Sequence, residues 1–453
     1  MHDCSNLEGF LRGSRVPLEV HRQRDGMNSR HIVTHRPHVP HGIRKATASL
    51  LIAALVATGC SQASSDAASG ATVATTSAST SASSTATSTS AASGLPSTTT
   101  AATSGDDTTT TVDTVVATTA AAEAFLATLS DEQREAVLYD FDDETKTTSW
   151  SNFPVTFVDR AGLNVNDLTS EQQAAALEVL AALLSDAGYA TATGIMAGDA
   201  FLLENSPGAE SSFGQYYIAF FGEPSESASW ALQFGGHHLG INATMDGSDG
   251  SITFAPTHLG SQPAVFTDSS GTEVQPLAGM YEAAFAFYDS LTEAQRSALY
   301  QGEEVSDLSC APGGTCSFPT GVGLAGADLT DAQKQLLLDV IANWVGMSDA
   351  ETTASALAEI EATLDETYIN WSGATVYDMT EGSGIHFQIS GPNVYVEFSN
   401  QQSSAGSDVD GYLTSGWGHI HTIYRDPTSD YAGSATQQAS SGPGGGSGGA
   451  PRR

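Results

Sequence analysis

The sequence predicts an α+β fold made of two similar halves, each with N-terminal amphipathic helices followed by short antiparallel strands. Two observations predict it. Four helix-start motifs are spaced as two pairs, and strand-like segments follow each pair. Helices and then strands, twice in the same order, indicate an internal duplication within one domain.

The four helix starts share one motif, a Ser or Thr followed three residues later by Gln. The motifs begin at Ser130, Thr169, Thr292 and Thr330. In such a capping box the hydroxyl accepts a hydrogen bond from an early helical amide, and the Gln side chain reaches back to the cap. The second pair follows the first at offsets of 162 and 161 residues, so the helices are expected to repeat.

Strand-like segments after each helix pair match at a similar offset. Residues 214–224 align with 384–392, and residues 230–234 align with 394–398. Short apolar runs bounded by Gly and Pro favour strands. The match extends the repeat beyond the capping boxes, which are common enough to recur by coincidence.

One folded domain is therefore expected at 120–433, with halves at about 120–270 and 275–433. Residues 434–453 are rich in Gly and Ser and are predicted to form a disordered tail. Residues 60–119 are almost entirely Ala, Ser, Thr, Gly and Asp, without an aromatic side chain. Such a segment buries too little surface to offset the entropy of ordering, which predicts a disordered tether.

Residues 1–59 are expected to be a signal region, with Met27 as an alternative start. An uncharged run from Ala46 to Ala57 follows two cations; it is too short to span a bilayer and has the flanks of a secretory signal. The end of the run resembles a bacterial lipobox, which predicts lipidation of Cys60 and an extracytoplasmic protein anchored to the bacterial cell membrane. An ordinary signal peptide is the alternative.

The charge of the chain bears on its partners. There are 16 Lys and Arg against 52 Asp and Glu, a formal net charge of −36. Charge-driven binding to nucleic acids or anionic membranes needs clustered cations, so neither is expected. The protein is expected to contact the membrane only through the lipid at Cys60. Its expected partner is a small-molecule substrate or a metal ion.

A cysteine pair agrees with export. Cys310 and Cys316 lie six residues apart with Pro-Gly-Gly between them. This spacing suits a small disulfide-closed loop in an oxidising compartment.

Histidines occupy corresponding places in the two halves. His237 and His238 follow a Gly-Gly pair, and His419 and His421 alternate along a strand-like segment. Alternate strand residues share a face, so the last two point the same way, and the glycines could form a bulge that aims the first two. Three imidazoles suffice for a zinc-like site with an open position, so these four histidines are predicted to bind a divalent metal ion.

Three charged residues are candidates for catalysis. Glu397 lies inside an apolar strand and Asp426 precedes a proline; either could activate water, and Arg425 could clamp a substrate carboxylate or phosphate. The structural alternatives are that Glu397 pairs with Arg425, that Arg425 pairs with another acid, and that the histidines only bond to the backbone. His258 and His386 are expected to be structural.

Several motifs together resemble the domain of unknown function 3500 family of mostly exported bacterial proteins. They are Trp150–Pro154, Gly236–Leu239, Gly391–Phe398 and His419–Pro427. The resemblance covers 120–433, and its two histidine motifs are the most specific. It implies export but carries no activity.

The predicted function is metal binding by the histidines, with a metal-dependent hydrolase as the simplest reaction. Two alternatives stay open: a non-catalytic lipoprotein that captures a metal or small ligand, and a metal-free histidine acid–base site. Neither the zinc-protease helix motif HExxH nor a phosphate-binding loop with its Lys occurs, so no motif selects the reaction.

Overall fold

The computed structural model of the protein describes residues 109–439. The predicted signal region, Cys60, most of the predicted tether and the end of the predicted tail lie outside these residues. Among the described residues, no helix combines the length and apolarity that crossing a membrane requires.

Helices occur in two groups along the described chain. The helices are α1 (Thr111–Ala127), α2 (Asp131–Val137), α3 (Thr145–Thr148), α4 (Ser170–Leu183), α5 (Asp186–Asn205), α6 (Ala278–Ser290), α7 (Glu293–Leu299), α8 (Asp331–Val345) and α9 (Ala350–Glu361).

Strands follow each group of helices, and a few very short strands lie among the helices. The strands are β1 (Leu138–Tyr139), β2 (Leu163–Asn164), β3 (Tyr217–Phe221), β4 (Ser229–Gly235), β5 (Leu239–Asp246), β6 (Ser251–Thr253), β7 (Thr257–Ser261), β8 (Phe266–Thr267), β9 (Glu273–Val274), β10 (Tyr300–Gly302), β11 (Leu324–Ala325), β12 (Tyr368–Gly373), β13 (Ile385–Ser390), β14 (Tyr395–Asn400) and β15 (Ile420–Arg425).

The first helix begins at Thr111, inside the segment predicted to be a tether. Thr110 caps it, and the Thr118 hydroxyl donates to the Thr114 carbonyl at 2.7 Å. Satisfied in this way, threonines can be buried beside apolar residues such as Phe125. The folded region therefore starts earlier than composition suggested, because low overall apolarity hid one buried helical face.

The ordered chain also continues into the predicted tail. Gln437 is buried; its Oε1 accepts a 2.6 Å hydrogen bond from the Tyr431 hydroxyl, and its Nε2 donates to the Thr147 carbonyl. The same Tyr431 oxygen accepts from Trp150 Nε1 at 2.9 Å. These buried hydrogen bonds fix the segment after residue 433.

The predicted capping boxes are confirmed at the start of α2, α4, α7 and α8. Their glutamines also join neighbouring caps. Gln295 and Gln333 exchange hydrogen bonds of 3.0 Å in both directions, and Gln172 donates to Gln133 at 3.1 Å. Each motif thus caps its own helix, and the glutamines link α2 to α4 and α7 to α8.

Most strands form one 13-stranded sheet in the order β1-β3-β4-β5-β7-β15-β14-β13-β12-β10. The pairs β1–β3 and β10–β12 are parallel and the other pairs are antiparallel, with β2 beside β3, β11 beside β12 and β6 beside β5. The two strand groups meet where β7 pairs with β15. The α+β class and the antiparallel strands are thus confirmed.

The strands aligned in the sequence do not lie at equivalent positions counted from the two edges of the sheet. Residues 214–224 contain β3, second from one edge of the sheet, and residues 384–392 contain β13, third from the other edge. The strand in the place of β3 is β12. Both β3 and β13 are apolar and precede a Gly-Pro or Gly-x-Pro turn, and such a pattern does not distinguish adjacent strands of a sheet.

The two faces of the sheet differ because side chains alternate along each strand. One face is apolar and packs with the helices in a single core that includes Phe220, Leu232, Ile241, Val396 and Phe398. The opposite face is buried as well, but it carries polar side chains, namely Gln233, Asn242, His258, His421, Glu397, Gln388 and His386.

Two loop segments cover this polar face. These segments are residues 140–161 and residues 303–323. Trp150 of the first segment and Cys310 of the second pack together against Tyr395 and Ile423 of the sheet. Buried polar groups must then find partners inside the protein, since water is excluded.

Candidate metal centre

The four predicted histidines come together with a fifth. Ring centroids lie 4.2 Å apart for His237 and His238, 4.7 Å for His419 and His421, and 5.5 Å for His238 and His421. His258 joins at 5.6 Å from His421. These five residues are called the histidine cluster below.

The sheet register brings the cluster together. His237 and His238 occupy the turn between β4 and β5, and His258 lies on β7. On the neighbouring strand β15, His421 stands opposite Gly260 of β7. The contacts of His421 with His237, His238 and His258 therefore depend on the pairing of β7 with β15.

Three members of the cluster are placed to share one ion. His237, His238 and His421 are buried, and one nitrogen from each lies within 4.8 Å of the others. Two nitrogens bound to one tetrahedral zinc ion lie about 3.4 Å apart, so rings that are farther apart than this would have to rotate to share one ion. His419, also predicted as a ligand, lies beside this triad.

Backbone carbonyls orient two of the rings. Nδ1 of His258 donates to the Thr422 carbonyl at 2.7 Å, and Nδ1 of His419 donates to the Ser403 carbonyl at 2.7 Å. A carbonyl only accepts, so the proton of each neutral ring is on Nδ1 and the lone pair is on Nε2.

A carboxylate orients the third ring. Nδ1 of His238 lies 2.5 Å from Oδ1 of Asp199, and the other oxygen of Asp199 accepts from the Tyr216 hydroxyl at 2.7 Å. Asp199 lies on α5 and is buried. A carboxylate that accepts from one imidazole nitrogen leaves the other nitrogen available for a metal, an arrangement typical of metal centres.

An amide faces the fourth ring. Nδ1 of His421 lies 3.2 Å from Nδ2 of Asn152, while Oδ1 of Asn152 is buried without a partner. A half-turn of the Asn152 amide leaves its shape unchanged and lets Oδ1 accept from Nδ1. His421 then also presents a free Nε2.

Within the described chain, five buried ring nitrogens of the cluster have no hydrogen-bond partner. They are Nδ1 of His237 and Nε2 of His238, His258, His419 and His421. All rings of the cluster except that of His237 are therefore oriented by a contact of Nδ1, and their Nε2 atoms remain free.

Burial keeps four of the five rings neutral. It lowers the pKa of His258 to about 4 and that of His419 to about 3. The pKa values of His237 and His421 also lie well below the ordinary range, because burial and the neighbouring rings oppose protonation. Neutral imidazole is the form that binds metal ions.

Close packing shapes the site. A Cβ on Gly260 would stand 3.2 Å from Cδ2 of His238 and 3.3 Å from Cε1 of His258, so glycine lets these rings approach. Phe213 stacks on His237 with 4.6 Å between centroids. None of the five side chains is more than 8% exposed, and the site is shielded from water.

A buried cation braces the segments around the site. Arg160 donates at 2.7 Å to the carbonyl of Gly236, which precedes His237, and at 2.8 Å to the carbonyl of Ser151, which precedes Asn152. Burial lowers the pKa of Arg160 to about 10. Its charge lies near the cluster, but its hydrogen bonds go to the backbone.

The structure places Glu397 in a separate network. Its oxygens accept from five donors, namely Ser309 N at 2.8 Å, His386 Nε2 at 3.0 Å, Gln388 Nε2 at 2.9 Å, Cys310 N at 2.9 Å and the Tyr395 hydroxyl at 2.8 Å. None belongs to the histidine cluster. Burial opposes ionisation, but the hydrogen bonds outweigh it and hold the pKa of Glu397 below its ordinary value.

This network secures the disulfide loop. Cys310 and Cys316 are bonded to each other, as predicted, and the Cys310 amide is one of the donors to Glu397. Glu397 has no oxygen left over to activate water. His386 serves this network, in keeping with the structural role expected of it.

Arg425 and Asp426 also have structural partners. Arg425 forms an ion pair of 2.5 Å with Asp430, which is the alternative in which it pairs with another acid. Asp426 accepts from the Thr428 and Ser429 amides at 2.9 and 3.1 Å. The structure therefore does not bring either predicted catalytic residue to the histidine cluster.

Sequence reasoning missed two residues of the site. His258 was expected to be structural because it stands alone in the sequence, and its neighbour His421 is 163 residues away. Asp199 belongs to no motif. Its one visible sign is a carboxylate within the apolar helical run from Ile195 to Leu203, because a charge there needs a buried partner.

Fold and site together define an α+β protein with a buried histidine site that could hold a metal ion. The sequence profile described as "Protein of unknown function (DUF3500)" matches residues 111–433, and the chain belongs to this family. The resemblance expected from the histidine motifs is thus confirmed. Neither a curated protein nor a solved structure matches the chain.

Glu397→Gln is expected to lower the free energy of unfolding at pH 7 by about 2–4 kcal/mol, because an amide NH₂ would face hydrogen-bond donors. The depressed pKa means that the contribution of Glu397 is present above about pH 4.5 and is lost as the pH falls through the lower, folded-state value. Urea unfolding of both proteins between pH 7 and 3 would therefore show curves that converge in acid.

The exposed substitution Glu135→Gln is the matched control and should leave stability unchanged within about 0.5 kcal/mol. A Glu397→Gln protein as stable as the parent at pH 7 would contradict this account of the network.

Proposed function

We propose that the protein is an exported, lipid-anchored metalloprotein that binds one divalent transition-metal ion through His237, His238 and His421. One observation carries the proposal. These three buried histidines bring one nitrogen each within 4.8 Å of the others, and within residues 109–439 each ring has a buried nitrogen without a hydrogen-bond partner.

The free nitrogens favour a metal over purely structural contacts. Structural hydrogen bonds account for Nδ1 of His238, His258 and His419, but not for the opposite nitrogens. A buried polar atom without a partner costs about 1–3 kcal/mol, and the cluster contains five. A cation that accepts several of these lone pairs would offset that cost.

The donor set favours particular metals. Imidazole nitrogen suits zinc, copper, nickel and iron, whereas magnesium and calcium prefer several oxygens. The carboxylate of Asp199 contacts Nδ1 of His238. Such a contact raises the basicity of a histidine ligand and fixes the orientation of its ring. Zinc is therefore a suitable first probe, with copper and nickel as competitors.

The purified protein is expected to bind one equivalent of Zn²⁺, measured by elemental analysis after gel filtration. His421→Ala and His238→Ala should each abolish stoichiometric binding, because each removes one of three ligands. Asp199→Asn should weaken affinity by about 10- to 100-fold, because the carboxylate orients and polarises the ligand.

His386→Ala is the control, because His386 contacts Glu397 and lies outside the cluster. Circular dichroism of each variant without metal separates loss of a ligand from loss of the fold. A folded parent protein that retains no Zn²⁺, Cu²⁺ or Ni²⁺ would refute the proposal.

A metal-dependent hydrolase is the second candidate function. The triad leaves coordination positions open, and a metal ion there would supply Lewis-acid chemistry. The observation that favours catalysis is His419, whose centroid is 4.7 Å from that of His421 and whose Nε2 has no hydrogen-bond partner within residues 109–439, so that it could contact a molecule bound at an open position. The low exposure of the cluster favours the alternative of metal capture without turnover.

A panel of ester, phosphoester and peptide substrates would separate these functions. If the protein is a hydrolase, a chelator should abolish turnover, and His419→Gln should lower kcat at least about 100-fold while the metal content is unchanged. Turnover that survives chelation would instead support a metal-free acid–base site. Full metal occupancy with no turnover would leave metal capture as the function.

Export and anchoring form part of the proposal and rest on the sequence before the described residues. The apolar run that ends at Cys60 supports them, and the disulfide of the folded region suits an oxidising compartment. The expected partners remain a metal ion or small molecule, and nucleic acid is not among them because of the charge of −36.

In a bacterial host, the protein should partition into the detergent phase, and Cys60→Ser should move it to the aqueous phase. Cys4→Ser is the matched control because it lies before the proposed cleavage site. Equal partitioning of the parent and the Cys60→Ser protein would rule out the lipid anchor.

We also infer that the two halves arose by duplication, with β3, β4, β5 and β7 corresponding to β12, β13, β14 and β15. Two observations support this inference. Counted inward from its edge, each half has its strands in the same order, and the two halves have similar hydrogen bonds between neighbouring strands. Gln233 donates to Asn242 at 2.7 Å, and Gln388 donates to Glu397 at 2.9 Å. A superposition of the halves that fails to align these pairs would contradict the inference.

A further inference from the structure

A cleft of about 480 Å³ lies apart from the residues of the histidine cluster. Its walls come from the start of α1, from α9 and from β5, β6 and the turn after β15. It belongs to neither the proposed metal site nor the disulfide loop.

The charge of the cleft has one sign. Four carboxylates line it, those of Asp249, Glu351, Glu359 and Asp426, and none of the lining residues is Lys, Arg or His. None of the four takes part in a salt bridge within residues 109–439. Carboxylates gathered around a concave surface attract cations more strongly than they would on a flat surface.

A second feature of the cleft is independent of charge. Thr244 lines it and is only 3% exposed, and its hydroxyl has no hydrogen-bond partner. A buried hydroxyl without a partner costs free energy, so it marks a place where a polar group of a ligand would be stabilised.

The remaining wall combines apolar side chains with serine, threonine and asparagine residues. Val112, Ile252 and Ile360 contribute aliphatic side chains to the cleft, and Phe254 contributes an aromatic one. A small hydrated ion gains nothing from such surfaces, whereas methylene groups do. The wall therefore suits a ligand with an aliphatic body.

Within residues 109–439, no three of these carboxylates have ligand atoms close enough together to share one metal ion. Among the described residues, the group of His, Cys, Asp and Glu side chains with mutually close ligand atoms is the histidine triad. A ligand that meets several of the cleft carboxylates must therefore carry separated positive charges.

We propose that this cleft binds a linear aliphatic polyamine. Its ammonium groups meet the carboxylates, its methylene chain lies along the apolar side chains of the wall, and one amine hydrogen-bonds to the Thr244 hydroxyl. This site is independent of the proposed metal centre.

Isothermal titration of the full chain with spermidine in 0.15 M salt tests the proposal. We expect saturation at one spermidine per chain, with binding about tenfold weaker in Glu359→Gln and in Thr244→Val. Thr244→Val should fold normally, because the hydroxyl that it removes has no partner within residues 109–439. The metal content of both variants should equal that of the parent.

Glu361→Gln is the matched control. It lies on the same helix and makes the same change in net charge, but Glu361 is not among the residues that line the cleft. Equal weakening in Glu359→Gln and Glu361→Gln, or binding of many spermidines without saturation, would show general attraction to an acidic protein and would overturn the proposal. So would complete displacement by 1 mM Mg²⁺, or binding of a lysine-rich peptide but not of spermidine.

Discussion

The pairing of β7 with β15 is the contact on which the rest of the structure depends. It joins the two groups of strands into one sheet and sets His421 opposite Gly260. Because side chains alternate along a strand, a slip of one residue would turn His421 into the apolar core and Thr422 onto the polar face. The same register therefore fixes the core and the histidine cluster together.

A sheet buried on both faces must satisfy the polar groups on its second face. Glu397 does so with five donors from the protein, and Arg160 does so with backbone carbonyls. The histidine cluster differs because each of its five rings keeps a buried nitrogen that has no partner within residues 109–439. Five of the eleven buried side-chain atoms that lack a partner within residues 109–439 belong to the cluster, which makes its free nitrogens the more informative.

The sequence predicts those parts of the fold and of the histidine site that depend on neighbouring residues. Capping boxes and strand alternation depend on a few neighbouring residues, so four helix starts and the α+β class were found. The four predicted histidines do lie together. The first helix was missed because half of its buried residues are threonines. The strands aligned in the sequence lie at different positions in the sheet because adjacent apolar strands look alike.

The sequence by itself determined the fold class, the family, the disulfide and the histidines that meet, because each leaves a pattern of residue types along the chain. Tertiary structure alone decided which carboxylate serves which site. Glu397 and Asp426 were the carboxylates that the sequence suggested, yet Asp199 contacts His238, and His258 lies against His421 across a strand pair. Partners of buried charges are chosen by packing and register in three dimensions, which spacing along the chain does not encode.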